Sequence, residues 1–347
     1  MSASWTVTGD RPVRVLQVGA GGMGRAWLKA LGTRKDVELV GLVELDVSAG
    51  RQALADHGFD VEVSTDLGDL AARTSPDFVL DVTVPPAHHP VTTQALELGL
   101  PVLGEKPLAQ TLEEAVDLVR VTERTGGLFV VSQSRRYHEG LFALRDALPQ
   151  LGDIGIVTTE FYRAPHFGGF REEMAHVLLL DMAIHPFDSA RFLLGVDPIS
   201  VYCEEFNPSW SWYDGAAATA AVFEMAGGAR YIYHGSWCSP GAETSWEGRW
   251  RVSGSRGTAL WGGEPRPTID ISQSSGDAVP VTGSTLVPGN SIEGSLADFA
   301  QALRTGVAPM GEVHDNLFSL AMVYGAISSA AQGRRVTIDE VLTEAGR

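Results

Sequence analysis

VRVLQVGAGGMG, residues Val13 to Gly24, is a short apolar strand pattern that runs straight into a cluster of glycines. Its second half, Gly19 to Gly24, reads G-x-G-x-x-G, and Arg25 to Leu31 continues as a helix. Each glycine has a separate physical task. Gly19 permits the tight turn, Gly21 lets the backbone approach a pyrophosphate, and Gly24 lets the helix pack closely on the strand. Gly22 and Met23 fall at the start of that helix, where unpaired N–H groups and a partial positive charge attract phosphate. Glycines alone carry little weight, but a strand before and a helix after them are what a dinucleotide-binding turn requires.

Outward from this turn, apolar strands at 37–43, 78–84, 100–105 and 128–134 alternate with helices at 48–57, 89–98 and 111–125. The run FVLDVTV at 78–84 is almost continuously apolar, as a strand covered on both faces should be. The alternation predicts an α/β fold with a doubly wound parallel sheet over residues 12–134, a Rossmann domain for NAD or NADP. After Tyr137 the rhythm changes. Helices are expected at 139–150 and 173–194, with strands at 154–163, 199–206, 216–225, 228–238, 246–253 and 257–261. Successive strands with hairpin-like breaks predict a mostly antiparallel open sheet, so residues 135–347 read as an α+β substrate and oligomerisation domain. Residues 262–290, rich in Gly, Pro and Ser, read as an irregular loop or arm. Helices at 292–304 and 313–332 close the chain, placed to pack back on the first domain.

Bulk composition narrows the function. The chain has 347 residues, 44% of them hydrophobic, enough for two cores of ordinary size. A net charge of −17 with no local basic run excludes a nucleic-acid partner. The first residues, MSASWTVTGDRP, lack the basic start and apolar stretch of a signal peptide, and no apolar run is long enough to span a bilayer. A cytoplasmic protein is expected, with Cys203 and Cys238 reduced and buried. His88, His89 and His176 have no metal-ligand spacing, so no metal is expected.

Three further places carry chemistry. Glu44, twenty residues beyond Gly24 at the end of the second strand, is placed to accept hydrogen bonds from ribose hydroxyls and to repel a 2′-phosphate. This favours NAD. Asp46 is a possible substitute for Glu44, and an inward Arg51 would soften the repulsion and leave NADP open. Lys106 follows Glu105 at the end of the strand 100–105, on the edge where the carboxyl ends of an open sheet line the ligand crevice. Asp181 and His185 lie four apart on an expected helix, among Leu178, Leu179, Leu180, Ile184 and Phe187. By themselves they fit either a buried structural pair or a proton-handling unit. In a dehydrogenase acting on a secondary alcohol, His185 would take the hydroxyl proton and Lys106 would polarise the oxygen.

In this order and spacing the residues resemble the glucose–fructose oxidoreductase and inositol dehydrogenase family (Gfo/Idh/MocA). The resemblance runs through Gly19–Gly24, Glu44, DVTVPPAHH at 81–89, Glu105-Lys106-Pro107, Arg136-Tyr137, LGDIG at 151–155 and Asp181-x-x-x-His185. It implies that Lys106, Asp181 and His185 face the nicotinamide, and that Pro85, Pro86 and His89 form a turn near the cofactor, with Glu105 also at the cofactor. It also implies a sugar, inositol or related polyol as substrate and a homo-oligomer, dimer or tetramer. Ser134 and Val84 depart from the family pattern, where Asn and Thr are common. Tyr137, Arg163 and His166 are further substrate-contact candidates. Trp210, Trp212 and Tyr213 would suit either a sugar ring or a subunit interface. Two other functions share this scaffold: a transient-redox enzyme that eliminates or hydrolyses with no net NADH, and a non-enzymatic dinucleotide sensor.

Overall fold

The computed structural model describes residues 5–272 and 291–347; the last part of the expected arm, 273–290, lies outside them. The described residues divide into two compact units, 5–134 with 291–317, and 135–272 with 318–347.

In the first unit, β1 (Val13–Val18), β2 (Val37–Val43), β3 (Val63–Ser64), β4 (Phe78–Asp81), β5 (Val102–Glu105) and β6 (Phe129–Ser132) form one parallel sheet in the order β3-β2-β1-β4-β5-β6. This is the doubly wound order whose chain reversal, between β1 and β4, opens a crevice at the carboxyl ends of the strands. Helices α1 (Gly22–Gly32), α2 (Val47–Asp56), α3 (Leu67–Thr74), α4 (Pro85–Glu97) and α5 (Leu112–Thr125) make the crossovers. The boundaries follow local chemistry. Asp46 caps α2 by accepting from Ser48 and Ala49 N–H, and Thr111 with Glu114 forms a capping box on α5. Helix α4 starts at Pro85, four residues before the expected start, because proline at the first helical positions loses no bond there and is already at helical φ. For the same reason β4 stops at Asp81, before the end of its apolar run.

The sequence pattern counted residues 291–317 with the second domain, with the closing helices placed to pack back on the first. Here they pack in the first unit: the helix Ser291–Thr305 (α8 in chain order) buries Leu296, Phe299 and Leu303 in the same core as Val15, Trp27, Leu31 and Phe78. The Phe78 and Phe299 rings lie 5.0 Å apart.

The second unit carries an eight-stranded sheet. Its strands are β7 (Ile154–Tyr162), β8 (Pro198–Phe206), β9 (Ala218–Met225), β10 (Arg230–Ser236), β11 (Arg249–Gly254), β12 (Gly257–Trp261), β13 (Thr268–Ile271) and β14 (Val336–Thr337). The order is β13-β12-β11-β7-β10-β9-β8-β14, antiparallel except for the pair β7 and β10. Strand β13 falls within the stretch expected to be irregular. It forms because Thr268 to Ile271 pair with Gly257 to Leu260 across one more hairpin. The helices are α6 (Glu139–Leu151), α7 (Ile184–Leu194), α9 (Val313–Gln332), which runs across the division between the units, and α10 (Ile338–Glu344). Phe187 of α7 enters the core edge-on to Phe223 and Tyr233, at 4.8 and 5.3 Å. Along β9 buried residues alternate with more exposed ones, as expected of a sheet with one covered face. Ile156, Ile199, Tyr202, Phe206 and Leu260 are exposed on the strands. Among the described residues no helix is long and apolar enough to cross a membrane.

Candidate functional site

The glycine turn has the geometry its motif requires. Gly19 adopts φ +99°, and a Cβ there would meet the Val82 carbonyl oxygen at 2.7 Å. A Cβ on Gly24 would lie 2.5 Å from the Gly19 carbonyl oxygen, so α1 sits against the turn at a distance only glycine allows. Gly21 and Gly22 instead face open space. Gly21 is the N-cap of α1, and no side chain caps the helix N–H groups there. An uncapped helix start behind two open glycines is a built anion site, and it fits a dinucleotide pyrophosphate. One residue absent from the motif completes the turn: buried Gln17 donates from Nε2 to the carbonyls of Gly19 at 2.8 Å and Gly24 at 3.0 Å. Its only signal in the sequence is a polar residue inside an apolar strand.

Substituting Gly24 by Ala should therefore force α1 away from the turn. Overpacking of this kind costs about 1–3 kcal/mol, so NADH affinity should fall by roughly 5–150-fold. A fluorescence titration reads this directly, and unchanged affinity would refute the close-packing argument.

Glu44 is fixed beside the turn. Its Oε2 accepts from Ala20 N–H at 2.8 Å and its Oε1 from Asp46 N–H at 3.2 Å. Asp46, the possible substitute, is used as the cap of α2, which leaves Glu44 as the carboxylate at the glycine turn. Pro85 and Pro86 open α4, just after the Val82–Thr83 backbone that lies against Gly19. Met23 is half exposed in the first turn of α1. Two residues expected at the cofactor have protein partners as well. His89 turns its Nε2 to the carboxylate of Asp117 on α5, at 2.8 Å. Glu105 points inward: Trp27 Nε1 donates to it at 2.7 Å and Lys106 N–H at 3.1 Å, and burial raises its pKa. A buried carboxylate held from both sides fixes the Lys106 backbone N–H. On the neighbouring helix, the two ring nitrogens of buried His88 lie 2.7 and 3.1 Å from the carbonyl oxygens of Pro107 and Thr83. His88 thus ties the segment after Lys106 to the β4–α4 junction.

In the second unit, Asp181 and His185 are both half-buried, but the helix carrying them is not a plain α-helix. It begins at about Val177, later than expected, and Leu178–Ala183 form a π turn before α7. Pro186 supplies the physical cause. It has no N–H for the Met182 carbonyl four residues back, and its ring would crowd that oxygen, so the preceding turn widens. Single π turns of this sort recur at functional sites. Asp181 Oδ2 accepts from Arg171 Nε at 3.2 Å. Arg135 also stands in the field of Asp181, donates to the Trp246 carbonyl and Met182 Sδ, and pairs with Glu247 at 3.3 Å.

The substrate-contact candidates divide. Tyr137 is 3% exposed, part of the core. Arg163 is committed: it donates to the Thr244 carbonyl at 2.8 Å, pairs with Glu243 at 2.9 Å and lies over the Trp246 ring at 4.2 Å. His166 is exposed and stacks on Trp212 with ring centroids 3.8 Å apart. Tyr213 is buried, donates to the Pro165 carbonyl at 2.8 Å, and has its phenol pushed up to about 12 by that burial. Arg136, part of the family-like Arg-Tyr pair, is held in a buried two-bond pair with Asp188, at 2.7 Å for each bond. Among the described residues no group of three or more His, Cys, Asp or Glu is arranged to hold a metal.

Comparison with known proteins agrees with this architecture. Residues 13–133 match the domain described as oxidoreductase family, NAD-binding Rossmann fold, and residues 149–260 match the Gfo/Idh/MocA C-terminal domain. The chain is 30% identical over 354 residues to the uncharacterized protein y4oX of Sinorhizobium fredii, covering 95% of this chain and 96% of that one. It is 26% identical to the 1,5-anhydro-D-fructose reductase of Ensifer adhaerens, over 93% and 97% of the two chains. An oxidoreductase of Agrobacterium radiobacter, solved with NAD+, L-tartaric acid and magnesium, shares the fold with a TM-score of 0.83 at 22% identity, over 94% and 98% of the chains. With an open, uncapped glycine turn at the switch point of a β3-β2-β1-β4-β5-β6 sheet and both domains matched, the chain belongs to the Gfo/Idh/MocA family of NAD-binding oxidoreductases.

Proposed function

We propose that the protein moves a hydride between a secondary hydroxyl of a sugar, inositol or related polyol and nicotinamide, with His185, Asp181 and Lys106 handling the proton. The open glycine turn, in a chain that also has a Lys at a strand end and an Asp–His pair on a π-distorted helix, carries the reading. NAD, when bound, supplies the two-electron acceptor. The chain's residues do the rest. His185 takes the hydroxyl proton as the C–H hydride leaves, a role open to an imidazole because a ring nitrogen can accept and return a proton. Asp181 supports the imidazolium so formed. Lys106, its backbone held by buried Glu105, donates to the substrate oxygen as negative charge grows there. A dimer or tetramer belongs to the same proposal, supported by the exposed apolar side chains on the second sheet.

The test is a nicotinamide-absorbance assay of the purified protein with sugars, inositols and sugar acids. NAD should be preferred over NADP by about tenfold or more, because Glu44 beside the turn confronts the 2′-phosphate with a like charge. Activity with NADP alone would overturn the Glu44 assignment. Product formation with no change in absorbance would favour the transient-redox reading, and cofactor binding with no turnover the sensor.

A further inference from the structure

Three arginines of the second unit lie near Asp181 or among the substrate-contact candidates, and their hydrogen bonds differ. Arg163 and Arg135 spend their terminal nitrogens on carbonyls, a thioether and the carboxylates of Glu243 and Glu247. Arg171 uses only Nε, on Asp181, and among the described residues its two terminal nitrogens make no hydrogen bond. Its side chain is 37% exposed, against 15% for Asp181. The guanidinium is nevertheless held in place. It lies 5.2 Å from the ring of Phe167 and 5.0 Å from that of Phe170, both of which are exposed.

The segment beneath it is fixed as well. The short 3-10 helix Gly169–Arg171 leads into a stretch anchored by Asp214 N–H to the Glu172 carbonyl, 2.8 Å, and Ala216 N–H to the Ala175 carbonyl, 2.9 Å. Gly215 between them packs so tightly that a Cβ would meet the Met174 and Ala175 carbonyl oxygens at 2.2 Å. An arginine fixed by one nitrogen and two aromatic rings, with a fork of donors left over, is preorganised for a planar, two-oxygen anion. Bound to Asp181, it stands next to one of the residues assigned to proton transfer.

We propose that Arg171 recognises a carboxylate on the substrate, which makes the substrate class sugar acids and not neutral sugars. This rests on the dehydrogenase reading of the site. Arg171 Nε stays on Asp181 while the terminal nitrogens take the substrate carboxylate, and the exposed rings of Phe167 and Phe170 wall the sugar.

Matched pairs test it: galacturonate against galactose and glucuronate against glucose, with wild type, Arg171→Met and Arg171→Lys. Charge-assisted bonds of this kind should give the acids about a 10–100-fold advantage in kcat/KM. The advantage should fall to near unity in Arg171→Met, whichever way the absolute rates move, and partly survive in Arg171→Lys, which keeps charge but not the fork. Equal use of acids and neutral sugars by wild type overturns the inference, as does an acid preference that persists in folded Arg171→Met. If Arg171→Met does not fold, an undiminished preference in Arg171→Lys overturns it. Calorimetric binding of each sugar to the NADH-loaded protein keeps the two readings separate. With no turnover of any sugar, the dehydrogenase reading falls. The calorimetry then still decides this one: tighter galacturonate binding that is lost in Arg171→Met supports it, and equal binding overturns it.

Discussion

Replacing His185 by Ala should lower kcat by about 10²–10⁴-fold, the usual contribution of a positioned general base, while NADH affinity stays within error of wild type. The asymmetry follows from the fold. His185 sits in α7 of the second unit, immediately after the π turn, whereas the glycines, Gln17 and Glu44 that build the dinucleotide turn all belong to the first unit. A base acts only in the transition state, so its loss should appear in kcat and kcat/KM together. Stopped-flow or steady-state rates with fluorescence titration of NADH separate these effects, and circular dichroism checks that the helix is intact. Wild-type turnover in this variant would end the assignment. A parallel loss of NADH binding would mean that the residue works structurally.

The second large effect concerns stability. Arg136 and Asp188 form a two-bond ion pair with side chains only 6% and 2% exposed. Ser319 Oγ donates to Asp188 at 2.7 Å and accepts from Arg191 Nη1 at 2.9 Å, so the network joins α7 to α9 within the second unit. Asp188→Ala leaves the Arg136 cation buried without its carboxylate, at a cost of about 3–5 kcal/mol. For a unit of this size that corresponds to roughly 6–20 °C in its melting temperature. An apolar replacement of both partners, Arg136→Met with Asp188→Leu, should lose less than Asp188→Ala alone, because no charge is stranded. Thermal unfolding followed by circular dichroism measures both. A shift below a few degrees in Asp188→Ala, or a double variant worse than the single, would show that the pair is not what holds this part of the unit.

The elements read best from sequence were those whose local preferences all agree. The strand Val13–Val18, the glycine turn and the helix behind it lie where the pattern puts them, because apolar alternation, Gly19 and Gly24 each demand the same backbone. The elements left unassigned were short: β3, α3, β14 and α10 have two to eight residues each. Such segments hold together by packing and pairing and have little periodicity to read. The helix 173–194 shows the same division on one element. Its apolar residues announced a helix, but its later start and the π turn depend on how Pro186 is accommodated. Among site residues, Glu44 and Lys106 stand at strand ends as expected, whereas Asp117, Trp27 and Glu243, which engage His89, Glu105 and Arg163, are distant in sequence, and Tyr137 is buried.

VRVLQVGAGGMG with the helix pattern that follows it by itself determined the dinucleotide-binding turn, since an apolar strand running into G-x-G-x-x-G and then a helix is what such a turn requires. Tertiary structure alone decided which polar side chains are still available for a ligand. Arg136 and Arg163 look as capable as Arg171 when read along the chain. Their donors, though, are consumed by Asp188, Glu243 and Thr244, residues 52 to 81 positions away. A side chain's unused hydrogen bonds depend on such long-range neighbours, and only packing brings them together.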